Sequence, residues 1–248
     1  MFFGVKMYRG EKMRYKISEK LENEMFDSVG NLMPHKVLGL FQRLATEHAE
    51  NLGLGFESML KKNLLWVVTQ VRYEVCGKIT PETKVILETW PLPPNRLGFE
   101  RCYRITDNNG NLLIKGSSNW VIIDTKERKM VASEDIYPRG DYYEAKIFEE
   151  RARRLRDFEA EDTKYSVTPD EIYIDNNGHV NNTYYALFAE KALKGLKGEI
   201  ASFQIDFIHE VLKGEQLNLY CLSDEEKSLV KGVSQNGDRM FACVINYK

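Results

Sequence analysis

The stretches FDSVGNLMP (residues 26–34) and IDNNGHVNN (residues 174–182) share one frame: an apolar residue, Asp, two variable positions and Gly. Asp27 matches Asp175, and Gly30 matches Gly178. A frame that returns at long separation marks a duplicated unit. The surroundings return in the same order. A strand around Tyr15 precedes the first frame and one around Tyr165 the second. Downstream, LWVVTQVRYEV (65–75) resembles IASFQIDFIHEV (200–211), both rich in β-branched and aromatic residues that favour strands. Asn109 and Gly110 then form a hairpin signal before LLIKGSSNWVII (112–123), as Asn236 and Gly237 do before RMFACVINY (239–247).

Each frame is followed by a helix. In the first, Val37, Leu40, Phe41, Leu44, Ala45, His48, Ala49 and Leu52 recur at steps of three and four, which lays an apolar stripe along one side. Pro34 presets its first turn and Gly53 ends it. In the second, Tyr184, Tyr185, Phe188, Ala189, Ala192 and Leu193 form the stripe, with Asn181 or Asn182 as the cap and Gly195 beyond the end. One long helix and about five strands per half imply an α+β fold, each half an antiparallel sheet wrapped around a central helix. The expected organisation is a domain over 1–130, a linker over 131–163 and a second domain over 164–248. The densest part of the linker, EERARRLRDFEAED (149–162), reads as a solvated helix bridging two lobes. Its sharper reading is a docking surface for an acidic partner, using Arg151, Arg153, Arg154 and Arg156 with Arg96, Arg101 or Arg104. Glu149, Glu150 and Asp157 dilute that field.

Composition narrows the function classes. The 248 residues are 43% hydrophobic and 29% charged, a globular mixture. No apolar run reaches the roughly eighteen residues of a membrane-spanning helix, so a membrane protein is not expected. The 35 basic and 37 acidic side chains leave a formal charge of -2, which supplies no general attraction to nucleic acid or an anionic membrane. Cys76, Cys102, Cys221 and Cys243 are dispersed without a CxxC pair, against a zinc knuckle or redox motif and in favour of buried free thiols. MFFGV is too short for a secretory signal, and a cytoplasmic protein is expected.

Chemistry concentrates in the second frame. Asp175, Asn177, His179, Asn181 and Asn182 fall at a strand-to-helix turn, where backbone N–H groups and the positive helix end face outward. An imidazole there can move protons near neutral pH. The plainer alternative is an Asx turn with a helix cap. The first frame weighs between them: it keeps Asp27 and Gly30 but carries Asn31, Leu32, Met33 and Pro34 at the places of His179, Val180, Asn181 and Asn182. Turn geometry needs only the shared residues, so one active site is expected, in the second half. His35 and His209 receive no role, and His48, on the apolar stripe, reads as a satisfied core histidine.

DNNGHVNNTYY (175–185) resembles the DxNxHVNNxxY signature of acyl-acyl carrier protein thioesterases, borne on the second of two tandem hot dog domains. TWPLPPNRLGFERCYRITDNNGNLLIKGSSNWVIID (89–124) is similar to a first-domain stretch of that family. FIHEVLKGE (207–215) resembles the segment in which plant members place Glu before Cys. The resemblance implies a double hot dog fold that hydrolyses fatty acyl thioesters of acyl carrier protein, with no metal and no cofactor. By it Asp175, Asn177, His179 and Glu210 are catalytic; beyond it, Asn177 and a backbone N–H near Gly178 are expected to hold the oxyanion. Val211 stands where plant members have Cys, so activated water replaces a thiol nucleophile. Glu210 is favoured over Asp175 as the base, and the choice stays open. The first domain would shape the acyl tunnel through Leu40, Phe41, Leu44, Trp66 and Trp120, residues that read equally well as plain core. The implied partner is acyl carrier protein with its phosphopantetheine arm, the tandem pair acting alone or as a homodimer. Alternatives are an acyl coenzyme A thioesterase or a dehydratase of the same fold, the latter disfavoured by Asn177 beside His179, and a noncatalytic acyl-binding protein.

Overall fold

The computed structural model describes residues 13–95, 98–132, 136, 142–143 and 145–248. The first half runs β1 (Tyr15–Lys20), α1 (Pro34–Asn51), α2 (Phe56–Leu60), β2 (Leu64–Val75), β3 (Lys84–Pro91), β4 (Phe99–Asp107), β5 (Leu112–Asp124) and the short β6 (Lys129–Met130). The second runs β7 (Thr163–Val167), α3 (Asn182–Leu193), β8 (Ile200–Phe207), β9 (Leu217–Ser223), β10 (Lys227–Ser234) and β11 (Arg239–Tyr247). Both expected hairpin turns form, with Gly110 at φ 85 and Gly237 at φ 87, the left-handed region that glycine enters without steric cost.

The duplication is visible in the strand order. The first half pairs as β1-β3-β4-β5-β2 and the second, read from its outer edge, as β7-β9-β10-β11-β8. The two sheets expected from sequence are joined edge to edge: β2 pairs antiparallel with β8, Gln70 facing Asp206 and Glu74 facing Ser202. The pairing has a simple cause. Each strand alone would leave a row of unpaired N–H and C=O groups at a sheet edge, and each satisfies the other.

Alternation assigns the two faces of this sheet. Val71 and Tyr73 of β2, with Phe203 and Ile205 of β8, face the helices and belong to the main core. Phe41 of α1 stacks on Tyr103 with ring centroids 4.1 Å apart, and a β-carbon on Gly116 would collide with that ring. Gln70, Arg72, Gln204 and Asp206 point to the opposite face, where the linker lies.

The charged part of that linker is not a helix. Residues 151–161 have no regular hydrogen-bonded structure. Instead the segment crosses the sheet as a strap, and sheet side chains satisfy its backbone. Gln70 Nε2 and Gln204 Nε2 donate to Arg153 O at 3.3 and 2.7 Å, and Leu155 N donates to Asp206 Oδ2 at 2.6 Å. Phe148 lies under the Arg72 guanidinium, 3.9 Å from its ring centroid, and Lys231 reaches Asp157 at 3.0 Å. Ala152, Leu155 and Phe158, three apart, and Ala160 are the half-buried positions, whereas Arg151, Arg153, Arg154 and Arg156 are exposed.

Among the described residues no helix is long and apolar enough to cross a membrane. The cysteines there are free thiols: Cys102 and Cys243 are buried, Cys221 is half-buried and Cys76 is exposed, so burial holds for only part of the set.

Candidate active site

The second turn is built by Asp175. Its Oδ1 accepts from the backbone N–H of Asn177 at 2.8 Å and of His179 at 3.3 Å, while Asp175 N donates to His179 O at 2.8 Å. Gly178, at φ 82, allows the chain to close. Asn181 then caps α3, its Oδ1 accepting from Thr183 N at 3.0 Å. The carboxylate of Asp175 is therefore committed to the turn and makes no hydrogen bond to the imidazole.

Glu210 reaches His179 by a different route. The strand expected to run to Val211 ends at Phe207, and residues beyond it cross toward the turn. Val180 N donates to Val211 O at 2.9 Å, and His179 forms a bridge with Leu212. Tyr185, which sequence reasoning left without a role, secures this segment. Its hydroxyl accepts from Val211 N at 3.0 Å, and burial pushes its phenol well above the ordinary range. Its signal was available as the last position of the signature. With both segments tied, Glu210 Oε2 lies 3.3 Å from His179 Nε2, and its Oε1 meets Arg128 Nη2 at 3.1 Å. Val211, at the place of the plant cysteine, is buried.

A cavity of about 390 Å³ opens between the halves. Asp175, Asn177, Asn181 and Asn182 form its wall on the side of the second half. Ala45, Thr46 and Ala49 of α1, Phe56 and Met59 of α2, and Trp66, Phe99 and Trp120 form it on the other. His179 and Glu210 adjoin this wall through the turn without being part of it. Two of the expected tunnel residues, Trp66 and Trp120, line the cavity. Leu40, Phe41 and Leu44 do not: they point between α1 and the sheet as core, and the next positions around the helix face the cavity. The oxyanion expectation at Gly178 also changes, because Gly178 N donates to Asp175 O at 3.1 Å within the turn. Asn177 lines the cavity wall, and its Nδ2 donates to Asp175 Oδ2 at 3.4 Å.

Arg101 was expected at a docking surface, and the structure buries it at 7% exposure on the cavity wall. It sits on β4 in phase with Phe99, Tyr103 and Ile105, an alternation legible in the sequence. Its Nη1 contacts His48 Nδ1 at 2.9 Å and Thr89 Oγ1 at 3.3 Å. Burial, then the neighbouring guanidinium, lowers the His48 pKa to about 3, so the imidazole is neutral and accepts at Nδ1. Among the described residues His48 Nε2 has no hydrogen-bond partner, so this core histidine is only half satisfied there. Arg104 is engaged by Glu88, with Nε 2.9 Å from Oε2, and Arg96 lies outside the described residues.

Residues 12–138 match the family model described as acyl-ACP thioesterase N-terminal domain. An acyl-[acyl-carrier-protein] hydrolase, FATB3, chloroplastic, of Cuphea viscosissima is 28% identical over 170 residues, covering 63% of this chain and 41% of that one. The match covers about two fifths of the length of this and two further curated relatives. Among solved structures, the 12:0-ACP thioesterase from Umbellularia californica superposes with a TM-score of 0.83 at 17% identity, covering 99% of both chains. An acyl-ACP thioesterase from Bacteroides thetaiotaomicron does so with a TM-score of 0.76 at 20% identity, covering 95% of this chain and 98% of that one. These likenesses establish the double hot dog fold. With the family model spanning just over half of its residues, the chain belongs to the acyl-ACP thioesterase family.

Proposed function

We propose that this protein hydrolyses a fatty acyl thioester carried by acyl carrier protein, releasing free fatty acid and the carrier thiol. The observation that carries the reading is the 3.3 Å approach of His179 Nε2 to Glu210 Oε2, beside a cavity walled by Asp175 and Asn177. Glu210 is the base, because Asp175 already accepts two backbone N–H groups of its own turn. Water gives a proton to Glu210 as its oxygen bonds to the thioester carbon. The Asn177 amide, at the positive end of α3, stabilises the oxyanion. When the tetrahedral intermediate collapses, the C–S bond breaks and the sulfur takes a proton relayed through His179, which leaves a carboxylic acid and a thiol. The acyl chain occupies the cavity against Trp66, Trp120, Phe99 and Met59. The four exposed arginines of the strap offer an acidic carrier a more distant surface, across the sheet from the cavity.

Purified protein should cleave acyl-carrier thioesters, and Asn177→Ala, His179→Ala and Glu210→Ala should each abolish most of that activity while leaving the fold intact. Comparing carrier and coenzyme A thioesters of equal chain length tests the carrier. Equal turnover of the two would remove the arginine surface from the reading, and acyl binding without any hydrolysis by the parent protein would overturn the reading as a whole.

A further inference from the structure

The chemistry assigned above lies in the second half, yet one contact to it comes from the first. We propose that Arg128 is a positioning residue for Glu210, so that the active site is shared between the two halves. This rests on Glu210 acting as the base.

Glu210 needs such a partner. It lies beyond the end of β8 with its side chain 49% exposed, held locally through the backbone of its neighbours rather than by packing of its own. Two contacts define where its carboxylate sits, His179 on Oε2 and Arg128 on Oε1. With the guanidinium holding one oxygen, the other is directed at the imidazole.

Arg128 stands on a hydrogen-bonded turn. Asp124 Oδ1 accepts from Lys126 N at 2.8 Å and Glu127 N at 2.9 Å, and Arg128 N donates to Asp124 O at 2.8 Å. Below the turn, Val131 N donates to Ile122 O, and Thr125 N ties it to Asn63 O at 2.8 Å. Arg128 itself takes φ 53, a conformation disfavoured for a long side chain, where glycine or asparagine would sit more comfortably. An exposed pair of this kind adds little stability. The Arg128 side chain is 80% exposed, and what it supplies at this position is a cation on the carboxylate oxygen other than the one nearest His179.

The test is steady-state hydrolysis of an acyl carrier thioester by the parent, Arg128→Gln, Arg128→Lys, Glu210→Gln and the Arg128→Gln/Glu210→Gln double variant, with Glu127→Gln as the control on the same turn. Arg128→Gln should lower kcat about tenfold with KM unchanged, and Arg128→Lys should recover most of the loss. Arg128→Gln should have no further effect once Glu210 is Gln, and Glu127→Gln should match the parent. A kcat for Arg128→Gln within about twofold of the parent, a change in KM alone, or an undiminished loss in the Glu210→Gln background would overturn the assignment. A parent protein that hydrolyses no thioester overturns the underlying function, and this assignment with it. A hydrolysing parent with an unaffected Arg128→Gln overturns the assignment alone.

Discussion

The two turns of the duplicated frame are built alike and carry different side chains. In the first, Asp27 Oδ1 accepts from Val29 N at 2.9 Å and Asn31 N at 2.8 Å. In the second, Asp175 Oδ1 accepts from Asn177 N and His179 N. Gly30 and Gly178 both take positive φ. The divergence begins with the side chain at the place of His179. Asn31 is buried, donates to Gly198 O at 2.9 Å and accepts from Ile200 N at 3.0 Å, so it clasps the first turn to the second half. The partner changes as well. Glu82 N donates to Leu21 O as Gly214 N does to Pro169 O, which puts Lys78 where the second half has Glu210. The frame needs aspartate and glycine to close, and the remaining positions were free to become a clasp in one copy and a histidine–glutamate pair in the other. The halves also differ in helix length: α1 has 18 residues against 12 in α3, and its extra turns carry His48 to Arg101.

The largest effect should come from imposing the first turn on the second. His179→Asn or Glu210→Lys should lower kcat/KM by about 10²- to 10⁴-fold with little change in the thermal midpoint. Retention of hydrolysis within a factor of about ten would mean that the two turns do not differ in chemistry. Next comes the pH dependence that the longer helix brings. The folded-state pKa of His48 is about 3, below the unfolded value of 6.5, so the unfolded chain binds the additional proton between those limits. This contribution to stability is complete above pH 6.5 and is lost as pH falls toward 3, with a slope of up to about 1.4 kcal/mol per pH unit. Urea midpoints at several pH values for the parent and His48→Gln should diverge on acidification, and parallel curves would remove the histidine from the account.

A smaller effect follows from Asp27→Ala. Loss of its hydrogen bonds to the turn should cost about 2 kcal/mol in urea unfolding with kcat unchanged, whereas Asp175→Ala should impair both stability and turnover. Equal damage to turnover by both variants would break the contrast. The smallest effect is expected from the reverse graft, Asn31→His with Lys78→Glu. Because Asn31 is sealed into the joint between halves, total hydrolysis should stay within about twofold of the parent, and the cost should appear as roughly 1–2 kcal/mol of stability.

Much of this was legible in the residues. The paired frames located both turns, the helix stripes located α1 and α3, and RMFACVINY coincides with β11. Asp175, Asn177, His179 and Glu210 were picked out by resemblance to a signature, and the backbone tie between Val180 and Val211 is what brings the two segments together. The strap was misread because mixed charges every few residues suit a solvated helix. What decided its path was the set of glutamine and aspartate side chains on the sheet's outer face, which give its backbone partners that local sequence does not display. Arg101 was placed at the surface by its charge, although its phase with Phe99 and Tyr103 put it inside. Leu40, Phe41 and Leu44 sit on the correct helix, one step around from the cavity wall. The short α2 contributes Phe56 and Met59 to that wall and left no periodic trace in its five residues.

The union of β2 with β8 has a consequence for anyone who would divide this protein. A cut within the strap yields two pieces of seemingly complete topology, but each then bares a raw, hydrogen-bonding flank where its sibling used to lie. Such fragments should stick to copies of themselves unless they are made together, and co-expression is the way to recover the whole.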